Sequence, residues 1–195
     1  SLFLLGLYSI ANASTSSYKI ENMAFPDDMP PEVGGLAFDK NGDLYACLRR
    51  GDVLVTRPGK DAASTKWKVF ATGLHNPMGM ELIGPGHVVV TQMAEFTEII
   101  DTDQDGVADR YNNLASDFGI SGNYHETNAI CTDGAGGFYI ALGTASHNGP
   151  TFFTPRGEYS KEGRRGRNFS SNDLRGWVVR YHKDGKLSPF ASGFR

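Results

Sequence analysis

The densest group of metal-binding side chains is DTDQDGVAD, Asp101 to Asp109, which sets carboxylates at loop positions 1, 3, 5 and 9 with a glycine at position 6. Oxygen donors at that spacing, with a glycine for the sharp turn, are how a short loop wraps Ca2+. Position 12 is Asn112 and not the bidentate glutamate of an EF-hand, and no helical periodicity flanks the loop. The expectation is therefore a calcium-loop analogue inside a β-hairpin, with Asp101, Asp103, Asp105 and Asp109 as ligands. A solvated acidic turn is the competing reading of the same residues.

A second chemistry-bearing stretch runs from Tyr124 to Gly143, YHETNAICTDGAGGFYIALG, where a polar loop carrying His125 leads into two short apolar runs. Histidine titrates near neutral pH, so it is the usual general base there, although a plain loop histidine fits the same residues. Arg156, Arg164, Arg165, Arg167 and Arg175 crowd the segment between Gly143 and Gly176, too long for an ordinary connection in a compact domain. That segment reads as a lid or an anion clamp, or else as a solvated loop. No nucleophile-elbow, Walker or GxGxxG spacing is present.

The elements that position these residues repeat. GLAFDKNGDLYACL, GMELIGPGHVVVTQ and the run through Ala129 to Leu142 share one pattern of two short apolar segments about a Gly-rich turn. Leu44, Val88 and Phe138 align at separations of 44 and 50 residues, the length of a propeller blade repeat. The predicted strands are 35–39, 43–48, 53–56 and 66–71 in blade one, and 78–83, 87–92, 96–100 and 110–115 in blade two. Blade three begins near Thr127, and Phe70 to His75 aligns with Phe190 to Arg195 at the blade ends.

Four-stranded blades about an axis make an all-β propeller, and about three blades cannot close a ring of four to eight. The expectation is that residues 34–195 are the N-terminal half of a propeller domain, with other all-β arrangements as the alternative. Strand alternation puts His75, Gln92, Arg49, Arg50, the loop with His125, the 143–176 excursion and Arg195 at one end, the mouth. The loops at 58–65, 101–109 and 183–185 fall at the other end, so an ion held by Asp101 to Asp109 would be structural.

Composition narrows the class. At 39% hydrophobic and 21% charged residues the chain is neither disordered nor membranous, and a formal charge of -3 without a basic aromatic platform argues against nucleic acid as a partner. The first residues, SLFLLGLYSIANA, form an apolar run ending in a small-x-small signal-peptidase pattern, which implies cleavage after Ala13, a mature start at Ser14 and a periplasmic or extracellular location. A buried first strand is the alternative, and the run is too short to span a bilayer. Residues 14–33, with Pro26, Pro30 and Pro31, read as a lead-in. Cys47 and Cys131 are too few for a disulfide framework and are expected to be small buried thiols.

Two stretches of blade three resemble a known family, the soluble PQQ-dependent glucose and sorbosone dehydrogenases and their large exported relatives. His125 with Ile130 and DGAGGFYIALG is similar to that family's histidine, apolar strand, turn and Tyr-rich strand, and RGWVVRYHKDGKLSPFASGFR is similar to its basic strand, Asp-Gly turn and terminal Gly-x-Arg. The resemblance implies a six-bladed propeller with PQQ and Ca2+ at the mouth, oxidising a sugar or alcohol hydroxyl by hydride transfer. It places His125 on the catalytic base and Arg195 on the arginine that contacts the quinone, and it implies a small-molecule sugar or alcohol substrate with an electron acceptor protein as partner. Thr144 stands where the family usually has an aspartate after Gly143. A non-catalytic propeller that binds a glycan or protein through the same mouth is the alternative.

Overall fold

The computed structural model describes residues 19–93, 95–116, 127–143 and 174–192. These form twelve strands: β1 (Val33–Phe38), β2 (Leu44–Leu48), β3 (Val53–Thr56), β4 (Lys68–Ala71), β5 (Gly79–Gly84), β6 (His87–Gln92), β7 (Glu95–Ile100), β8 (Arg110–Ala115), β9 (Thr127–Thr132), β10 (Phe138–Leu142), β11 (Trp177–Tyr181) and β12 (Leu187–Ser192). They pair as three antiparallel meanders, β1 to β4, β5 to β8 and β9 to β12, each strand beside its sequence neighbour. The only helical turn among the described residues is a 3-10 turn at Ala62–Ser64, capped by the Asp61 carboxylate, which accepts from Ala63 N.

The first strands of the meanders adjoin one another, β1 beside β5 and β5 beside β9, which is the arrangement of inner strands around a propeller axis. This approach is close: a Cβ on Gly34 would run into the Pro77 carbonyl, so only glycine fits there. The chain is thus an all-β segment of a propeller, as the repeat implies. The strand boundaries differ from expectation by one or two residues. β1 begins earlier, at Val33, because pairing to Leu48 continues across a bulge, and β4 begins later, at Lys68, because the Lys66 carbonyl accepts from Thr56 Oγ1 instead of joining the ladder.

Two apolar layers join the blades. Tyr45, Cys47, Val53 and Phe70 of the first sheet pack on Met80, Val88, Val90 and Ile99 of the second. Val89 and Phe96 on the reverse of the second sheet pack on Phe138, Ile140, Leu142 and Val179 of the third. Strand alternation does this, since Val88 and Val89 face opposite neighbours. Phe96 meets Phe138 edge-on at 5.3 Å and Tyr181 at 5.1 Å between ring centroids. Burying one such side chain stabilises the native state by about 1.5–3 kcal/mol.

The lead-in is not a free tail. Ala24 N donates to Ala62 O, Trp67 Nε1 donates to Ala24 O at 3.0 Å, and the Phe25 ring lies 5.6 Å from that of Trp67. Further on, Arg50 Nη1 donates to Asp28 O and Arg49 N to Glu32 O. The segment therefore climbs the first sheet from the β3–β4 end to the β2–β3 end before turning into β1.

Candidate functional site

Strand direction sorts the loops as the repeat predicts. The β2–β3 turn and the β4–β5 connector share the mouth end and are bonded to each other: Leu74 N donates to Gly51 O, and Gly51, at φ 114°, leaves no room for a Cβ beside Leu74 O. His75 sits in this connector, held through its backbone. Its N–H donates to Gln92 Oε1 at 2.6 Å, and its carbonyl accepts from Met93 N. Gln92 is buried, and its Nε2 continues to Thr97 Oγ1 at 2.7 Å, so this glutamine pins the connector to the top of the second sheet. Arg49 donates to Asn76 Oδ1, and Arg50 pairs with Asp52 at 2.8 Å.

On the third sheet the mouth end carries Arg175, only 1% exposed, whose Nη1 donates to Thr127 Oγ1 at 3.3 Å. Thr127, equally buried, opens β9 two residues after His125. A guanidinium buried to this degree holds a fixed positive charge beneath the mouth. Sequence alone offered Arg175 only as one arginine of five, because its burial depends on a partner 48 residues away. His125 and Arg195 lie outside the described residues, as does most of the 143–176 excursion.

At the opposite end the β7–β8 turn folds the aspartates together. Asp101 accepts from Gln104 N through Oδ1 and Gly106 N through Oδ2, Asp103 from Asp105 N, and Asp105 from Val107 N at 2.8 Å. Gln104 and Gly106 take positive φ, which bends the loop inward. One carboxylate oxygen from each of Asp101, Asp103 and Asp105 comes within 4.8 Å of the others. Two oxygens on one Ca2+ stand at most roughly 5 Å apart, given bonds of 2.3–2.6 Å, so the three fit a single ion. Asp109 does different work: its carboxylate accepts from Thr102 N and from Thr102 Oγ1 at 2.6 Å, bonds that hold it below the usual carboxylate range and fasten the base of the loop.

A further carboxylate site went unremarked in the sequence. Asp133, in the β9–β10 turn, accepts from Ala135 N and Gly137 N through Oδ1 and from Arg180 Nε and Nη2 through Oδ2, the last at 2.6 Å. The Arg180 guanidinium, helped by the two amides, holds its carboxyl at about 2. Asp39 makes the same turn in the first sheet, accepting from Asn41 N and Asp43 N, so the Asp-x-x-x-Gly/Asp spacing was a usable signal. Cys47 is buried, which pushes its thiol up to about 12, whereas Cys131 is exposed and departs from the expected burial. Ile130 faces the second sheet, so the next side chain must point the other way.

Three meanders fanned about their first strands, with connectors gathered at one end, define a β-propeller segment. The chain matches, over residues 35–192, the family described as "Domain of unknown function (DUF7133)", and it belongs to that family. No curated protein matches it by sequence. Among solved structures it is similar to the holo form of the pyranose dehydrogenase PQQ domain from Coprinopsis cinerea, at 14% identity and a TM-score of 0.55 over 78% of this chain and 34% of that one. It is also similar to the calcium structure of the Trichoderma reesei carbohydrate-active enzyme of family AA12, at 10% identity and a TM-score of 0.55 over 83% and 38%. A third is a luciferin-regenerating enzyme, at 14% identity and a TM-score of 0.52 over 83% and 46%. These likenesses establish the fold, and the chain spans less than half the length of each of the three.

Proposed function

We propose that residues 34–195 are the N-terminal half of a six-bladed quinoprotein domain that oxidises a sugar or alcohol hydroxyl by hydride transfer to PQQ. The observation that carries this reading is the agreement between the family resemblance of blade three, with His125 just before β9, and a fold shared with a PQQ domain. PQQ bears carboxylates, and the charges of Arg49 and the buried Arg175 at the described mouth end suit an anionic cofactor. When bound, PQQ supplies a two-electron acceptor for the hydride. His125 would take the hydroxyl proton, and Arg195, which cannot be deprotonated near neutral pH, would hold the quinone by donated hydrogen bonds.

Asp101, Asp103 and Asp105 hold Ca2+ as a clip on the β7–β8 turn, with Asp109 as the fourth carboxylate of the motif. Residues 1–13 act as an export leader, which puts the domain in the periplasm or outside the cell, where a partner protein accepts the electrons.

The deciding experiment is reconstitution of the full-length protein with PQQ, Ca2+ and a dye acceptor against a panel of aldoses and alcohols. The expected result is dye reduction that requires PQQ and one substrate class. Full-length protein that binds no PQQ and reduces no dye would favour the second reading, a propeller that only binds a glycan or protein at its mouth. The luciferin-regenerating neighbour is the observation behind it, since one fold hosts unlike functions.

A further inference from the structure

A groove of about 540 Å³ opens between the first and second sheets at the end away from the mouth. Its volume falls in the range of ligand sites, about 300–1,000 Å³. Tyr45 and Phe70 form the floor, edge to face at 5.4 Å, with Gly86 beside them in the lining. Both walls belong to blades already adjacent, so adding blades to the ring does not change them.

The hydrogen-bond inventory of the rim is uneven. Its hydroxyl protons are already donated inward: Thr56 Oγ1 to Lys66 O, Ser64 Oγ to Asp61 O and Thr65 Oγ1 to Ala62 O. Those oxygens have only lone pairs left to offer. The rim carboxylates are engaged as well, Asp43 by both arms of Arg57, Asp61 by Ala63 N, and Asp101 by Gln104 N and Gly106 N. Lys66 and Lys68 also line the groove, and among the described residues neither ammonium has an ion pair or side-chain hydrogen bond. Arg57 keeps two of its five N–H donors beyond those spent on Asp43 and Asn41 O.

The free charged donors are therefore cationic, and acceptor lone pairs remain on both the hydroxyl and the carboxylate oxygens of the rim. Three cations face two rim carboxylates, Asp43 and Asp61, beside Asp101 of the proposed Ca2+ clip, so the lining carries a small positive excess, which suits one carboxylate rather than a polyanion. We infer that the groove binds a small polyhydroxylated monocarboxylate, a uronic acid being the simplest, with its carboxylate between Lys66 and Lys68 and its hydroxyls donating to Thr56, Ser64 and Thr65. The site is separate from the proposed redox centre and does not rest on that function.

Titration calorimetry of the full-length protein with D-glucuronate, D-glucose and acetate tests this. Glucuronate should bind saturably and about tenfold or more tighter than either comparison compound, since neither glucose nor acetate satisfies both halves of the lining. The double variant Lys66→Gln, Lys68→Gln should weaken glucuronate about tenfold or more with an unchanged melting temperature, because both side chains are exposed. Thr56→Val supplies the second arm and should weaken glucuronate while leaving acetate unaffected. Absence of saturable glucuronate binding, equal affinity for acetate or glucose, or full affinity in the lysine double variant overturns the assignment.

Discussion

Tyr139 and Phe190 of the third sheet repeat Tyr45 and Phe70 of the first, each pair joining the second strand of a meander to the fourth, with ring centroids 4.7 and 5.4 Å apart. The first pair is buried against the neighbouring sheet. The second stands on the outer face of the third sheet, with Phe190 62% exposed and Arg180 over the Tyr139 ring. On the third sheet this aromatic pair is exposed, at the face where the proposed fourth blade would pack.

Cys131 lies on that same strand face and is the probe for it. In native full-length protein, iodoacetamide followed by peptide mapping should leave Cys131 unmodified because a fourth blade covers it, and Cys47 unmodified because burial holds its thiol at about 12. Both should react once the protein is unfolded. Fast labelling of Cys131 in the native state would mean that no blade sits there.

Calcium should stabilise the protein through the β7–β8 turn. A ligand that binds only the native state adds about 2.7 kcal/mol at a hundredfold excess over its dissociation constant. Melting of the full-length protein should therefore shift upward between chelator and millimolar Ca2+, and Asp103→Ala should remove the part of that shift due to this loop. Equal shifts in the wild type and the variant would reduce the loop to an acidic turn.

His125→Ala should lower PQQ-dependent turnover about 10²- to 10⁴-fold, the usual cost of losing a general base, with PQQ still bound. Arg195→Ala should weaken PQQ binding as well. His75→Ala is the control, since His75 is held through its backbone N–H and carbonyl, which the substitution keeps. A loss in His75→Ala equal to that in His125→Ala would remove His125 as the base.

Asp133 gives a pH signature with a defined sign. Its folded value, about 2, lies below the ordinary 3.8, so its pairing with Arg180 contributes fully above about pH 4 and is lost as pH falls toward 2. Asp133→Asn should lower the melting temperature at neutral pH and flatten its decline across that acid window. Parallel curves for the two proteins would show that the clamp contributes nothing.

The leader is checked by intact mass of exported protein, which should begin at Ser14. Retention of Leu2 to Ala11 would overturn both the leader and the export it implies.

The strands were legible because their signals are local. Apolar alternation with Asn41–Gly42 or Gly134–Gly137 at the turns is enough to locate β1, β2, β9 and β10 within a residue or two. What the sequence hid is what distance creates. The bonds from Arg180 to Asp133 and from Trp67 to Ala24 span 47 and 43 residues, and no local pattern announces such partners. The aspartate loop was visible as spacing, yet that spacing did not show Asp109 bound to Thr102 while the other three converge. The two residues on which the redox reading turns, His125 and Arg195, came from resemblance alone.

The lead-in fixes an orientation. Its path begins beside the 3-10 turn, at the end that carries the aspartate loop, and finishes at the mouth end as it enters β1. Ala24 is therefore held at the pole opposite the mouth. A domain anchored to a bead or a sensor chip at Ala24 itself would point its mouth outward into the medium, so immobilisation at that residue should leave the mouth open to solutes.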